Sequence, residues 1–216
     1  AGVKIFGGWS RGQDQKSLSI FARSQYGQSV FDYPLFHNSE ISNYESFVLR
    51  NSGNDWTSTM LRDGYITSLA SKTDVDHQLY RPAIIYLNGE YWGIQNIREK
   101  VNEHFLSSHH DINAENIDLL DIQGTNPENI VHGTNIDYLN LLDYLNNNDI
   151  SDPAVQSGIE GWIDINSFMQ YQAFQIFIDN RDWPGNNIKF WRDHRTTGKW
   201  RWILYDTDFG FGIWDP

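Results

Sequence analysis

The groups best suited to chemistry lie in two short segments, Asp179-Asn180-Arg181-Asp182-Trp183-Pro184-Gly185-Asn186-Asn187 and Asp206-Thr207-Asp208-Phe209-Gly210-Phe211-Gly212. In the first, Asp182 can accept the proton of an attacking hydroxyl. Asn187, five residues on, can lend a neutral amide oxygen to a divalent cation without adding negative charge beside transferring phosphates. In the second, Asp206 or Asp208 can bring a carboxylate to the same cation from another direction, and Gly210 lets the chain turn where a side chain would intrude. Arg-Asp, four residues, Asn, a hairpin and then Asp-Phe-Gly is the layout that phosphoryl transfer asks for. With 20 Asp and 20 Asn among 216 residues, the Asp-x4-Asn spacing arises about twice by chance, whereas Asp-Phe-Gly is expected only about 0.09 times. The structural alternative is that Asp182 and Asn187 make Asx-turns around Pro184-Gly185 while Asp206 and Asp208 cap a loop.

These loops need elements to hold them. A helix beginning near Asp164 and running through Phe168, Tyr171, Gln175 and Ile178 leads into the first loop. Two strand-like runs, Ile188 to Asp193 and Lys199 to Tyr205, are joined by the polar turn His194 to Gly198 and place both loops at one end of the molecule. Earlier, Val3-Lys4-Ile5-Phe6 and Lys16 to Arg23 alternate polar and apolar residues as a strand pair does. Ala83 to Leu87 and Glu90 to Ile97 flank Asn88-Gly89, whose tolerance of positive φ makes a type I′ hairpin turn. Thr57 or Ser58 is expected to cap a helix through about Ser71. Thr134 is expected to cap another with Ile136, Leu139, Leu142 and Leu145 on one face. The fold class is therefore α+β, with a β-rich part over about 1–100 and a mainly helical part over about 101–216. No repeat or long linker divides it.

Composition narrows the function classes. Lys+Arg 16 against Asp+Glu 28 gives a net charge of −12, which argues against nucleic acid as partner because phosphate neutralisation needs clustered cations. No run approaches the roughly 20 apolar residues of a membrane span, and the chain is expected to be soluble. With no cysteine, any metal must be held by oxygen or imidazole. Aromatic residues at 15 % supply ample core material. The Trp191, Trp200 and Trp202 cluster could stack on sugars, but strand alternation favours burial in the hairpin core. His109-His110-Asp111 is a weak metal candidate because adjacent side chains diverge.

Over nearly its whole length the sequence resembles the spore coat protein H (CotH) kinase family of atypical, secretion- or surface-associated protein kinases. The resemblance rests on Gly8-Trp9-Ser10-Arg11 with Lys16-Ser17, Leu49-Arg50-Asn51 with Asp55, Tyr86-Leu87-Asn88-Gly89-Glu90-Tyr91-Trp92-Gly93 leading to Glu99, and Trp200 to Asp208 ending in Asp-x-Asp-x-Gly-x-Gly. It implies a protein-kinase-like fold, ATP with Mg²⁺ or Mn²⁺, and phosphorylation of Ser in coat or surface proteins, with a spore-coat, cell-surface or secreted location. Asp182 then resembles the catalytic Asp, Asn187 a metal ligand, and Asp206 or Asp208 the metal-binding Asp. On the nucleotide side an ATP phosphate usually meets a Lys held by a Glu, for which Lys16 and Glu99 are the expected pair, with Arg11 and Arg50 as further phosphate contacts. Lys16 could equally be a solvated strand-end lysine, and Glu99 could pair with Arg98 or Lys100. The acidic surface implies a basic, Ser-containing protein substrate.

Departures from ordinary protein kinases are plain. There is no Gly-x-Gly-x-x-Gly, Asn180 stands where a His would precede Arg-Asp, and no activation segment follows Asp208 before Pro216. A piece of a longer protein and a compact form are both open expectations. Two rival functions also stand: a non-catalytic assembly or surface-attachment module that kept the fold, and a carbohydrate-binding module suggested by acidity and Trp content.

Overall fold

A computed structural model describes residues 1–123, 126–196 and 198–213. Two five-stranded sheets organise the chain. The first is built from β1 (Gly2–Phe6), β2 (Ser17–Phe21), β5 (Ser46–Arg50), β7 (Tyr80–Leu87) and β8 (Glu90–Glu99), in the order β1-β2-β5-β8-β7 and antiparallel throughout. The strand pair expected near the N-terminus and the Asn88-Gly89 hairpin are both present, with Asn88 at φ 52° and Gly89 at φ 85° as a type I′ turn requires. A short ladder of β3 (Phe31–Asp32) and β4 (Asn43–Tyr44) stands beside this sheet.

The second sheet has the order β10-β9-β11-β12-β6. It combines β6 (Asp76–His77), β9 (Ile117–Gln123), β10 (Asn126–His132), β11 (Ile188–Asp193) and β12 (Arg201–Leu204). The expected hairpin of β11 and β12 pairs Lys189 with Ile203 and Trp191 with Arg201. The region after residue 100 carries helices together with most strands of this sheet. The Ile117-Asp118-Leu119-Leu120 run is a central strand between β10 and β11, and β6, from the first half of the chain, joins β12 in parallel.

Helices cover both faces of the second sheet. They are α1 (Arg62–Leu69), α2 (Glu103–His110), α3 (Ile136–Asn147), α4 (Pro153–Trp162) and α5 (Ile165–Phe177). Strand alternation sends Leu119, Trp191 and Ile203 to one side, against Phe105 and Leu106 of α2. Leu120, Phe190 and Trp200 go to the other side with Leu141 of α3, while Leu204 packs against Tyr171 and Phe174 of α5. Trp200 is fully buried, Trp191 is 4 % exposed and Trp202 stacks on Phe190. The hairpin tryptophans are core, which leaves the sugar-stacking surface without its platform.

Two helices differ from expectation for local reasons. Helix α1 starts at Arg62, not near Thr57, because the buried Asp55 carboxylate accepts from the backbone N–H groups of Thr59, Leu61 and Arg62 and from the Thr59 hydroxyl. Those bonds hold residues 55–61 in turns. In α3 the packed face is Tyr138, Leu141 and Leu145, whereas Ile136 and Leu139 are exposed. Asp164 does cap α5, accepting from Ser167 N–H at 3.1 Å. Helix α4 was unannounced by the hydrophobic periodicity, although Asp152 caps it and Pro153 occupies its first turn.

Candidate active site

Three segments meet at the edge between the sheets. The first follows β5, where Arg50 ends the strand and residues 51–55 turn sharply. Asn51 is fully buried and locked to β2, accepting from the Ser17 hydroxyl at 2.7 Å and donating to Gln15 O at 2.6 Å. Gly53 has φ +57°, and a Cβ there would overlap Asp208 Oδ2 and crowd the Arg50 guanidinium. The second segment follows α5. Asp179 reverses the chain at φ 48°, and Asn180, only 5 % exposed, donates to Gln175 Oε1 at 2.9 Å. Asn180 is thus a structural anchor that ties the loop back to α5. The third follows β12, where Asp206 sits at φ 53° and Thr207 is held by Asp63 of α1. Left-handed conformations at Asp179, Asn187 and Asp206 concentrate backbone strain around this one site.

Charge is arranged in a chain across the site. Arg50 Nη2 lies 2.5 Å from Asp206 Oδ1 and 2.9 Å from Asp208 Oδ2, while its Nε lies 3.4 Å from Asp63 Oδ2. Arg98 Nη2 reaches the same Asp63 oxygen at 3.3 Å. Asp208 is 1 % exposed and is bracketed by Asn54, whose backbone N–H and side-chain amide donate to its two oxygens at 2.9 and 3.2 Å. Burial and the neighbouring Asp206 push Asp208 up to about 6 despite Arg50. Asp63 moves the other way. Burial opposes its charge, but Arg98, Arg50 and the Thr207 hydrogen bonds hold its carboxyl below the usual range. Burial also opposes Arg50's charge, yet Asp206, Asp63 and Asp208 hold its guanidinium well above the ordinary arginine value.

Asp182 accepts from Asn186 Nδ2 at 3.1 Å and from Asn187 Nδ2 at 2.5 Å. Burial and the Asp206 charge raise its carboxyl above the usual range, against the Asn186 bond. A carboxylate so tuned is a better proton acceptor than a free one. Asp182, Asn187, Asp206 and Asp208 all line one cleft of about 770 Å³, which Arg11 and Arg50 line as well. That volume suits a nucleotide-sized ligand.

The donor set is one of hard oxygens, which suits Mg²⁺ or Mn²⁺ bound through one or two carboxylates and completed by substrate phosphates and water. It is not a closed protein cage. Among the described residues no three Asp, Glu or His side chains are grouped to hold a metal. Both Asp208 oxygens are engaged, and the Asn187 amide hydrogen is turned to Asp182. Arg50 marks where positive charge is stabilised between Asp206 and Asp208.

The nucleotide-side expectations divide. Arg11 and Arg50 line the cleft. Lys16 and Glu99 do not pair: the Lys16 ammonium donates to Arg11 O at 2.8 Å and Gln13 O at 2.5 Å, closing the turn before β2. Glu99, 3 % exposed, accepts from Leu79 N–H at 2.9 Å and meets His109 Nε2 at 2.7 Å. The reason is positional. Lys16 lies beside Gln95 of β8, whose side chain bonds its carbonyl, whereas Glu99 is four residues further along the same strand, opposite Phe47. Glu99 therefore does not pair with Arg98 or Lys100 either. His110 pairs with Asp76, so the two histidines serve separate carboxylates.

Sequence reasoning missed Asn54, Asp63 and Arg98. Asn54 lay within reach, in a polar run directly after Arg50. Asp63 and Arg98 carried no local signal, because their roles arise only from helix α1 and strand β8 crossing behind the acidic loop.

No curated protein matches the chain. The family described as CotH kinase protein matches residues 3–216, which contain every segment of the cleft, and the chain belongs to that family.

Proposed function

We propose that this protein is an ATP- and divalent-cation-dependent protein kinase that passes the γ-phosphoryl group to a Ser or Thr hydroxyl of a coat or surface protein. The observation that carries the reading is the convergence of Asp182, Asn187, Asp206 and Asp208 on one cleft, with Arg50 bridging the acidic loop. Asp182 orients the hydroxyl and accepts its proton, and Asn187 holds Asp182 in place. Asp206 and Asp208, with Asn187, would hold the cation, which when bound offsets the charge of the transferring phosphates. Arg50 anchors both carboxylates and can contribute a donor to phosphate. Asn54 and Asp63 position the acidic loop from behind. The −12 charge favours a basic substrate protein.

One observation favours a second reading. Asp208 spends both oxygens on Asn54 and Arg50, an arrangement that also suits a non-catalytic assembly module of a coat or surface complex in which the acidic loop is purely structural. Transfer of labelled γ-phosphate to a Lys/Arg-rich, Ser-containing protein, compared among wild type, Asp182→Asn and Asp208→Asn, separates the two. The kinase reading expects wild-type transfer and its loss in both variants. A wild type that neither binds ATP with metal nor transfers phosphate supports the assembly module.

A further inference from the structure

The cleft-facing side of the first sheet carries a line of cations. Register places Lys4 opposite Ser19, Ser19 opposite Val48 and Val48 opposite Arg98. Lys100 follows two residues after Arg98, and alternation puts it on the same side. Lys4, Arg50, Arg98 and Lys100 all line the cleft that holds Asp182. The floor between them is low, because Ser17 and Ser19 are buried small residues.

These four cations are not equivalent. Arg50 and Arg98 are matched by Asp63, Asp206 and Asp208. Lys189, across the cleft, is matched by Asp121 at 2.5 Å. Among the described residues Lys4 and Lys100 have no carboxylate within 4 Å. The Lys100 ammonium instead rests 4.2 Å above the Phe21 ring. Burial first, then the positive charges of Lys4 and Arg23, pull Lys100 below its ordinary range against the pull of Glu103. In a chain of net charge −12, the mutual repulsion of Lys4 and Lys100, which Glu103 offsets in part, falls when an anion joins them.

We infer that Lys4 and Lys100 form the phosphate clamp of the cleft, gripping an oligophosphate chain from the sheet side, the role expected of Lys16. This deepens the kinase reading and rests on it for the identity of the anion as a nucleoside triphosphate. The shared chemistry is the oligophosphate, which a nucleotide or inorganic polyphosphate could supply.

The test is calorimetric titration with three probes, ATP, inorganic tripolyphosphate and adenosine, into wild type, Lys4→Gln, Lys4→Gln/Lys100→Gln and the distant surface control Lys72→Gln. Loss of two charge-assisted contacts weakens ATP and tripolyphosphate binding by about tenfold or more in the double variant, and by less in Lys4→Gln. Adenosine binding stays unchanged, and Lys72→Gln stays within about twofold of wild type. Lys4 is exposed, so its single variant keeps the fold and tests the inference even where Lys100→Gln does not fold. Unchanged oligophosphate affinity in folded Lys4→Gln and double variants overturns the clamp, as does a wild type that binds no oligophosphate. If wild type binds tripolyphosphate through these lysines but not ATP, the clamp stands and the kinase reading falls. If the double variant keeps full ATP affinity and phosphotransfer, the kinase reading stands and the clamp falls.

Discussion

The two sheets have the same strand number and opposite interiors. The second sheet is covered on both faces by apolar side chains, with Leu119, Leu120, Phe190, Trp200 and Ile203 all fully buried. The first sheet turns toward the cleft a face of Ser17, Ser19, Arg50, Asn96 and Arg98, all buried except Arg50, which is half-buried. Its own apolar cluster is small, centred on Leu35, Phe36 and Tyr44. Non-directional packing holds the second sheet, so it can serve as a fixed platform for the loops after α5 and β12. Directed hydrogen bonds and ion pairs hold the cleft face of the first sheet, and a buried face of that kind is stable only while every partner is present. Apolar packing is thus concentrated in one sheet, and the buried polar and charged face toward the cleft in the other.

The largest effect should come from the platform. Phe190→Ala leaves a cavity among Tyr138, Trp200 and Trp202 and should cost about 3 to 5 kcal/mol in urea denaturation. The folded fraction should bind ATP as wild type does. A cost below about 1 kcal/mol would remove the contrast between the sheets.

Next comes the buried ion network. Arg98→Met strips Asp63 of one of its two cations and should cost about 3 kcal/mol. Adding Asp63→Asn should restore part of that loss, and strictly additive costs in the double-mutant cycle would show that the pair is not a unit. Gly53→Ala should cost about 1 to 3 kcal/mol, from strain at φ +57° and overlap with Asp208. It should also loosen the acidic loop, seen as faster amide exchange at Asn54 and Thr207.

The smallest effect is a pH dependence on the far side of the first sheet. Burial opposes protonation of His109, but the hydrogen bond and charge of Glu99, with Asp76, raise its pKa above 6.5. A raised folded-state value means that the stabilisation is complete below pH 6.5 and is lost as pH rises through the raised value. The stability difference between wild type and His109→Gln, about 1 kcal/mol or less, should be greatest near pH 5.5 and fade in alkaline buffer. A difference constant with pH would mean that the pair carries no net charge interaction.

How much of this was legible in the sequence follows the same division. The β11–β12 hairpin, the Asn88-Gly89 turn and the start of a helix near Asp164 declared themselves through local rules, since their causes lie within a few residues. Asp182, Asn187, Asp206 and Asp208 were singled out by their spacing in two loops, and the fold brings all four to one cleft. Strand β9 was missed because a strand buried on both faces shows no alternation. The start of α1 was misplaced because a single buried carboxylate, Asp55, overrides the capping preference of Thr57 and Ser58. Lys16 and Glu99 looked like partners by residue type, and only the register of β2, β5 and β8 sets them at separate ends of the sheet. Arg98, Asp63 and Asn54 depend on contacts between residues far apart in the chain, which no local pattern records.

The central claim is that the cleft transfers phosphate with Asp182 as the group that meets the hydroxyl. The most direct measurement is the steady-state rate of γ-phosphate transfer by Asp182→Asn beside its ATP affinity in the same metal-containing buffer. The account predicts a rate reduced by about 100-fold or more with ATP affinity within a few-fold of wild type. Transfer at the wild-type rate in a folded Asp182→Asn protein would contradict it.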